Sequence, residues 1–97
     1  MAQQMRLSKY KTKIVKDDEG YTNVILYNTI IVKFDDDVII LNSGQWHTNT
    51  TKTRMNQCAN QYGLDFKVYQ DDFQWYVWID NMSESIEFFD GMRIARV

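Results

Sequence analysis

Met55-Asn56-Gln57-Cys58-Ala59-Asn60-Gln61-Tyr62-Gly63 places Met55, Cys58, Ala59 and Tyr62 at i, i+3, i+4 and i+7, the stripe of an amphipathic helix with one packed face. Gly63 stands where a left-handed residue would end that helix, and Thr50 or Thr51 is placed to cap its start. A helix of about three turns is marginal alone, so it needs a sheet to pack on. Since this is the one stretch with helical period, it covers at most one sheet face. The opposite face then meets water, a partner or a curled part of the sheet itself.

Upstream, the chain reads in period two. From Lys9 to Lys16, Tyr10, Thr12 and Ile14 alternate with Lys9, Lys11 and Lys13, a half-buried strand. Asp17-Asp18-Glu19-Gly20 is a turn. Thr22 to Phe34 is strand-like throughout, either one bent strand or two short ones broken at Asn28-Thr29. Asp35-Asp36-Asp37 turns the chain into Val38 to Leu41, and Asn42-Ser43-Gly44 breaks it again. Downstream of the helix, Phe66 and Val68 alternate with Asp65, Lys67 and Tyr69 before a turn at Gln70-Asp71-Asp72. Trp75, Val77 and Ile79 face one way, Tyr76 and Trp78 the other. After a loop at Asn81 to Ser83, Ile86 and Phe88 alternate with Glu87 and Phe89, and Asp90-Gly91 is a hairpin turn into Met92 to Val97. The expected fold is α+β, a strongly curved antiparallel sheet of five to seven strands with a single helix packed across it, in one domain spanning residues 1–97.

Composition narrows the function. Apolar residues make up 44% of the chain and charged residues 25%, far from the signature of disorder. A lone cysteine, Cys58, excludes an intrachain disulfide, and no Cys/His spacing suggests zinc. Neither a signal-peptide-like apolar run nor a membrane-length one occurs, so the expectation is a reducing cytoplasmic setting without membrane insertion. Net charge is −2, but Arg6, Lys9, Lys11, Lys13 and Lys16 give the first sixteen residues five positive charges and no acid. The remainder carries six basic against thirteen acidic side chains, which argues against wrapping nucleic acid by bulk charge while leaving a local basic strip.

Trp46-His47-Thr48-Asn49-Thr50-Thr51-Lys52-Thr53-Arg54-Met55-Asn56-Gln57 resembles, together with Tyr27-Asn28-Thr29-Ile30-Ile31-Val32, Phe66-Lys67-Val68-Tyr69-Gln70 and Trp75-Tyr76-Val77, a family of small proteins encoded by tailed bacteriophages. The resemblance runs from about Tyr10 to Gly91, and its most specific part is Thr50-Thr51-Lys52-Thr53-Arg54-Met55-Asn56. That family often carries two glycines before the tryptophan. Here Gln45 stands in place of the second, which argues against a tight, glycine-dependent approach of a ligand. The resemblance implies a phage origin, and it carries no catalytic residues with it; with the reducing setting read from composition, the expected place of action is the host cytoplasm.

Three features are candidates for function. The first is the stretch from Trp46 to Gln57. A loop entering a helix offers unpaired N–H groups, Thr48, Thr50, Thr51 and Thr53 add hydroxyls, and Lys52 and Arg54 add charged donors, a chemistry suited to an anion. It lacks a nucleotide-binding glycine loop, and the plain alternative is that one threonine caps the helix while the rest satisfy loop backbone. Trp46 reads better as an anchor for this loop than as a stacking platform. His47 is the only histidine, a possible base without an acid or cysteine beside it in sequence, and Cys58 on the packed stripe reads as a small hydrophobe. The second is the sheet face holding Lys67, Tyr69, Tyr76, Trp78, Glu87 and Phe89. Exposed aromatics on one face mark a protein interface or a platform for bases. Asp65, Asp71, Asp72, Asp80, Glu84 and Glu87 oppose phosphate there and favour a protein. The third is the set of acidic clusters, Asp17-Asp18-Glu19, Asp35-Asp36-Asp37 and Asp71-Asp72, which lack calcium-loop spacing and suit turns.

The sequence therefore points to a non-enzymatic phage protein without cofactor or metal, binding a host protein or itself as a homo-oligomer. The second reading is a small nucleic-acid-binding domain using Lys9, Lys11, Lys13, Lys52 and Arg54.

Overall fold

The computed structural model describes residues 11–45 and 47–96. Arg6, Lys9, Tyr10, Trp46 and Val97, each used above, lie outside the described residues. The fold is α+β and antiparallel. In chain order the elements are β1 (Thr12–Lys16), β2 (Thr22–Leu26), β3 (Thr29–Phe34), β4 (Val38–Leu41), α1 (Asn49–Tyr62), β5 (Phe66–Asp71), β6 (Gln74–Ile79), β7 (Glu84–Glu87) and β8 (Met92–Ala95). A short 3₁₀ turn at Asp80–Met82 joins β6 to β7. Where one curved sheet is expected, the strands divide between two. One has the order β1-β2-β3-β4-β8 and the other β5-β6-β7.

Thr22 to Phe34 is two strands. Tyr27 takes a left-handed backbone (φ 56°) that reverses the chain, and Leu26 pairs with Thr29. The register then slips between Val24 and Ile25, so that Ile31 has no partner on β2 and both Ile31 and Val32 are buried. Such a bulge bends the sheet and explains two consecutive inward residues. β1 is not half-buried as its alternation suggests. It stands at the end of the sheet with β2 as its one strand neighbour among the described residues, and Ile14 and Val15 stay 45% and 46% exposed.

The β5–β6 turn comes later than expected, at Asp72-Phe73, because Asp71 still pairs with Gln74. Asp90-Gly91 is not a hairpin between neighbours either. β8 leaves the β5-β6-β7 sheet and pairs with β4, setting Met92 opposite Leu41 and Ile94 opposite Ile39. Those apolar partners bury Met92 and Ile94, whereas the outer edge of β7 would have set them against a strand bearing Glu84 and Glu87. The crossing is pinned by Gly91 N–H donating to the Leu41 carbonyl and by the Asp90 carboxylate, whose Oδ1 accepts from Ser43 N–H at 2.8 Å and from the Ser43 hydroxyl at 2.7 Å.

Partial burial alone would push the Asp90 carboxyl up, but the Ser43 N–H and hydroxyl, joined by Gln45 N–H and the charge of His47, bring it below the usual carboxylate range. A lowered folded pKa gives stability that is present above the unfolded value and lost as pH falls through the folded one. Asp90→Asn is therefore less stable than the wild type near neutral pH, and urea unfolding in acid shows the gap closing; a gap independent of pH contradicts this role.

One core serves both sheets. Val24, Val32, Ile39 and Leu41 from the first, Val68, Trp75, Val77 and Ile79 from the second, and Met55, Cys58 and Ala59 from α1 form a single buried cluster. The predicted stripe is thus the packed face, with Tyr62 at its end against Phe34, ring centres 5.0 Å apart. Beside the stripe, Asn56 does what no periodicity shows. Its Oδ1 accepts from Val68 N–H at 2.7 Å and its Nδ2 donates to the Val68 carbonyl at 2.9 Å, so a helix side chain completes the hydrogen bonds of the edge strand β5.

Candidate functional site

The helix begins two to three residues ahead of the expected caps. Thr48, not Thr50 or Thr51, is the N-cap, its hydroxyl oxygen accepting from Thr51 N–H at 3.2 Å. Thr51 turns inward, 3% exposed, with its hydroxyl 3.1 Å from that of Thr48, whereas Thr50 is exposed. Spacing allows three threonines to cap, and the inward turn of Thr51 decides among them. Thr48→Ala should cost about 1 kcal/mol and Thr50→Ala less than about 0.5 kcal/mol, read by thermal unfolding; equal losses contradict the assignment.

Just before the helix, Gly44 and Gln45 are both left-handed (φ 64° and 69°). Gln45 so adopts a conformation that glycine fills at lower cost. Next to this loop lies a cavity of about 380 Å³ lined by Leu26, Tyr27, Asn28, Thr29, Ile31, Ser43, Thr48 and Thr51. Its wall is mainly apolar, and three of its hydroxyls are already engaged, Ser43 with Asp90 and the two threonines with each other.

Lys52 and Arg54 do not act together. Lys52 reaches toward the second sheet, Nζ 3.5 Å from Gln70 Oε1 and 6.0 Å from the centre of the Trp75 ring. Arg54 reaches the other way, Nε donating to Thr12 Oγ1 at 3.2 Å, on the face of β1 that alternation gives to Thr12, Ile14 and Lys16 and not to Lys13. His47 packs on Trp75 and Phe88, ring centres 4.9 and 6.0 Å apart, and with Phe73 and Gln74 it lines a separate, smaller hollow. The threonine hydroxyls and His47 therefore face different concavities.

The second sheet carries the predicted face. Phe66, Val68, Trp75, Val77, Ile79 and Phe88 are buried; Lys67, Tyr69, Tyr76, Trp78, Ser85 and Glu87 turn outward, with Trp78 38% exposed. Cross-strand pairing sets Tyr69 opposite Tyr76 and Lys67 opposite Trp78. The two tyrosine rings stack at 5.6 Å with 25° between planes. Tyr69 OH donates to Ser85 Oγ at 2.6 Å and Trp78 Nε1 donates to Asp80 Oδ1 at 2.8 Å, so the rings are held in place. Among the described elements, the one helix packs on β5 from the core side and not on this face. Phe89 is also exposed, beyond the end of β7. Phe73, which the sequence reading passes over, is the most exposed large hydrophobe among the described residues; an unbroken alternation through Asp71 and Gln74 is the signal that places it in a two-residue turn.

The acidic clusters serve turns. Asp17 Oδ1 accepts from Glu19 and Tyr21 N–H and its Oδ2 from Asn23 Nδ2; the Asn23 bond is the main reason its carboxyl lies below the usual range. Asp35 Oδ1 accepts from Asp37 and Val38 N–H. Among the described residues no group of three His, Cys, Asp or Glu side chains is gathered to hold a metal ion. Burial pushes the Cys58 thiol up to about 12, so it stays protonated and inert at neutral pH. Among the described residues no helix is long and apolar enough to cross a membrane.

No curated protein and no solved structure matches this chain. One protein family does, over residues 1–95, the Kyanoviridae Gp96 protein family. With a match over nearly its whole length, the chain belongs to this family of small tailed-phage proteins.

Proposed function

We propose that this phage protein works without catalysis, inside the host cell, by binding another protein through the outward face of β5, β6 and β7. The observation that carries the reading is the set of three fixed rings on an uncovered face. Tyr69 and Tyr76 stack, Tyr69 and Trp78 are tied by hydrogen bonds, and little side-chain freedom remains to be lost on contact. Charge narrows the partner. Asp71, Asp80 and Glu87 border the rings against a single Lys67, which opposes phosphate and also opposes two copies of this face stacking on one another. A foreign protein with a neutral or basic surface fits best.

Nucleic-acid binding is the second reading, supported by Arg54 bonding Thr12 on the strand face that Lys16 shares by alternation, while Lys13 lies on the other face. One comparison separates the two. Tyr76→Ala and Trp78→Ala change exposed or half-buried side chains, so the protein still folds, and on the first reading they abolish co-purification of the partner from host cells while Lys16→Ala/Arg54→Ala retains it. The reverse pattern, with binding to DNA that falls steeply with salt, favours the strip instead.

A further inference from the structure

The sheet that carries the ring face has two edges, and they differ. At β5 the Asn56 side chain occupies the outward N–H and carbonyl of Val68, so that edge is closed there. At β7 it is open. Phe88 N–H donates to the Trp75 carbonyl and Val77 pairs with Ile86, so Glu84, Ile86 and Phe88 turn their backbone groups toward β6, and Ser85 and Glu87 turn theirs away from it. Both residues are exposed, and among the described residues neither their N–H groups nor their carbonyls meet a hydrogen-bond partner on that side.

This open edge is acidic and adjoins the rings. Glu87 stands across from Tyr76 and Ser85 across from Trp78, while Tyr69 OH reaches Ser85 Oγ. Asp80, tied to Trp78 Nε1, and Glu84, across from Ile79, add two carboxylates at the same end of the sheet. Lys67 lies two strands away on β5, and among the described residues no ion pair forms at Asp80, Glu84 or Glu87.

We propose that β7 takes an extended, basic segment of the partner protein as a fourth strand of this sheet. The inference rests on the reading that the ring face meets a foreign protein, and it gives the form of that contact. Backbone hydrogen bonds to Ser85 and Glu87 supply the pairing. Alternate side chains of the added strand then lie on the ring face beside Ser85 and Glu87, where an arginine meets the Glu87 carboxylate and the rings of Tyr76 and Trp78. A second copy fits poorly, because pairing β7 with itself gathers Glu84 and Glu87 of both chains in one ladder.

The probe is a short labelled peptide of alternating arginine and threonine, titrated with the protein and followed by fluorescence anisotropy. It binds the wild type, whereas the same peptide with every backbone nitrogen methylated, equal in charge, does not. Glu87→Pro removes a donor that the fold does not use and is accepted at a strand edge, so it melts near the wild type. It weakens binding about tenfold or more, and Glu87→Gln, which removes the charge alone, about threefold. A wild type that ignores the basic peptide, a methylated peptide that binds as well, or a folded Glu87→Pro protein that binds like the wild type overturns the proposal. So does a two-chain mass of the protein alone that Glu87→Pro abolishes, since β7 then pairs with its own copy. If Tyr76→Ala and Trp78→Ala abolish co-purification of the host partner while Glu87→Pro retains it, the ring face stands and strand addition falls; if Glu87→Pro alone abolishes it, the edge stands and the ring face falls.

Discussion

Asn56→Leu is expected to lose about 2 to 6 kcal/mol of folding stability, because it strands the Val68 N–H and carbonyl together at about 1 to 3 kcal/mol each. Leucine keeps the bulk of the side chain, so the loss isolates the hydrogen bonds from the packing. Asn60→Leu, an exposed change one turn on, is the control and should stay within about 0.5 kcal/mol of the wild type. Urea unfolding measures both. The variant should also aggregate more readily, since Asn56 is what occupies the outer hydrogen-bonding groups of β5 at Val68, and an unmasked edge recruits other strands. If Asn56→Leu unfolds within the range of the control, the helix does not close that edge.

Gly44→Ala is the second large effect. A Cβ there would lie 2.7 Å from Thr29 Cγ2 and 2.8 Å from Thr29 Oγ1, so both branches of the threonine obstruct it and rotation about its Cα–Cβ bond exchanges one clash for another. The left-handed backbone (φ 64°) adds strain of about 1 to 2 kcal/mol, and forcing the two segments apart about 1 to 3 kcal/mol, for a total of about 2 to 5 kcal/mol. Thr29→Ala in the same protein should restore the steric part and leave the backbone part. A double variant as unstable as Gly44→Ala alone would show that the strain lies wholly in the backbone.

What the sequence displays well is whatever depends on neighbours in the chain. The stripe of Met55, Cys58, Ala59 and Tyr62, the stop at Gly63, and the alternation that turns Trp75, Val77 and Ile79 inward and Tyr76 and Trp78 outward all follow from local period and are found in the fold. Contacts between distant segments are what it conceals. That β8 pairs with β4 rather than β7 depends on Met92 and Ile94 meeting Leu41 and Ile39 across some fifty residues, and no turn motif at Asp90-Gly91 reports it. The latch of Asn56 on Val68 and the tie of Asp90 to Ser43 are likewise polar contacts created by packing. At the candidate site the outward rings were legible, but the opposite directions taken by Lys52 and Arg54 were not, because residues two apart on a helix leave it on different sides. Phe73 escaped notice for a related reason: its turn has no glycine to announce it.

If this protein meets a foreign protein through Tyr69, Tyr76 and Trp78, the absolute mass of the species recovered from host cells shows it. Size-exclusion chromatography with light scattering compares the wild type with Trp78→Ala. The wild type is expected to elute heavier than a single chain by a fixed increment that survives high salt, and Trp78→Ala as a single chain. Equal masses for the two proteins would contradict it.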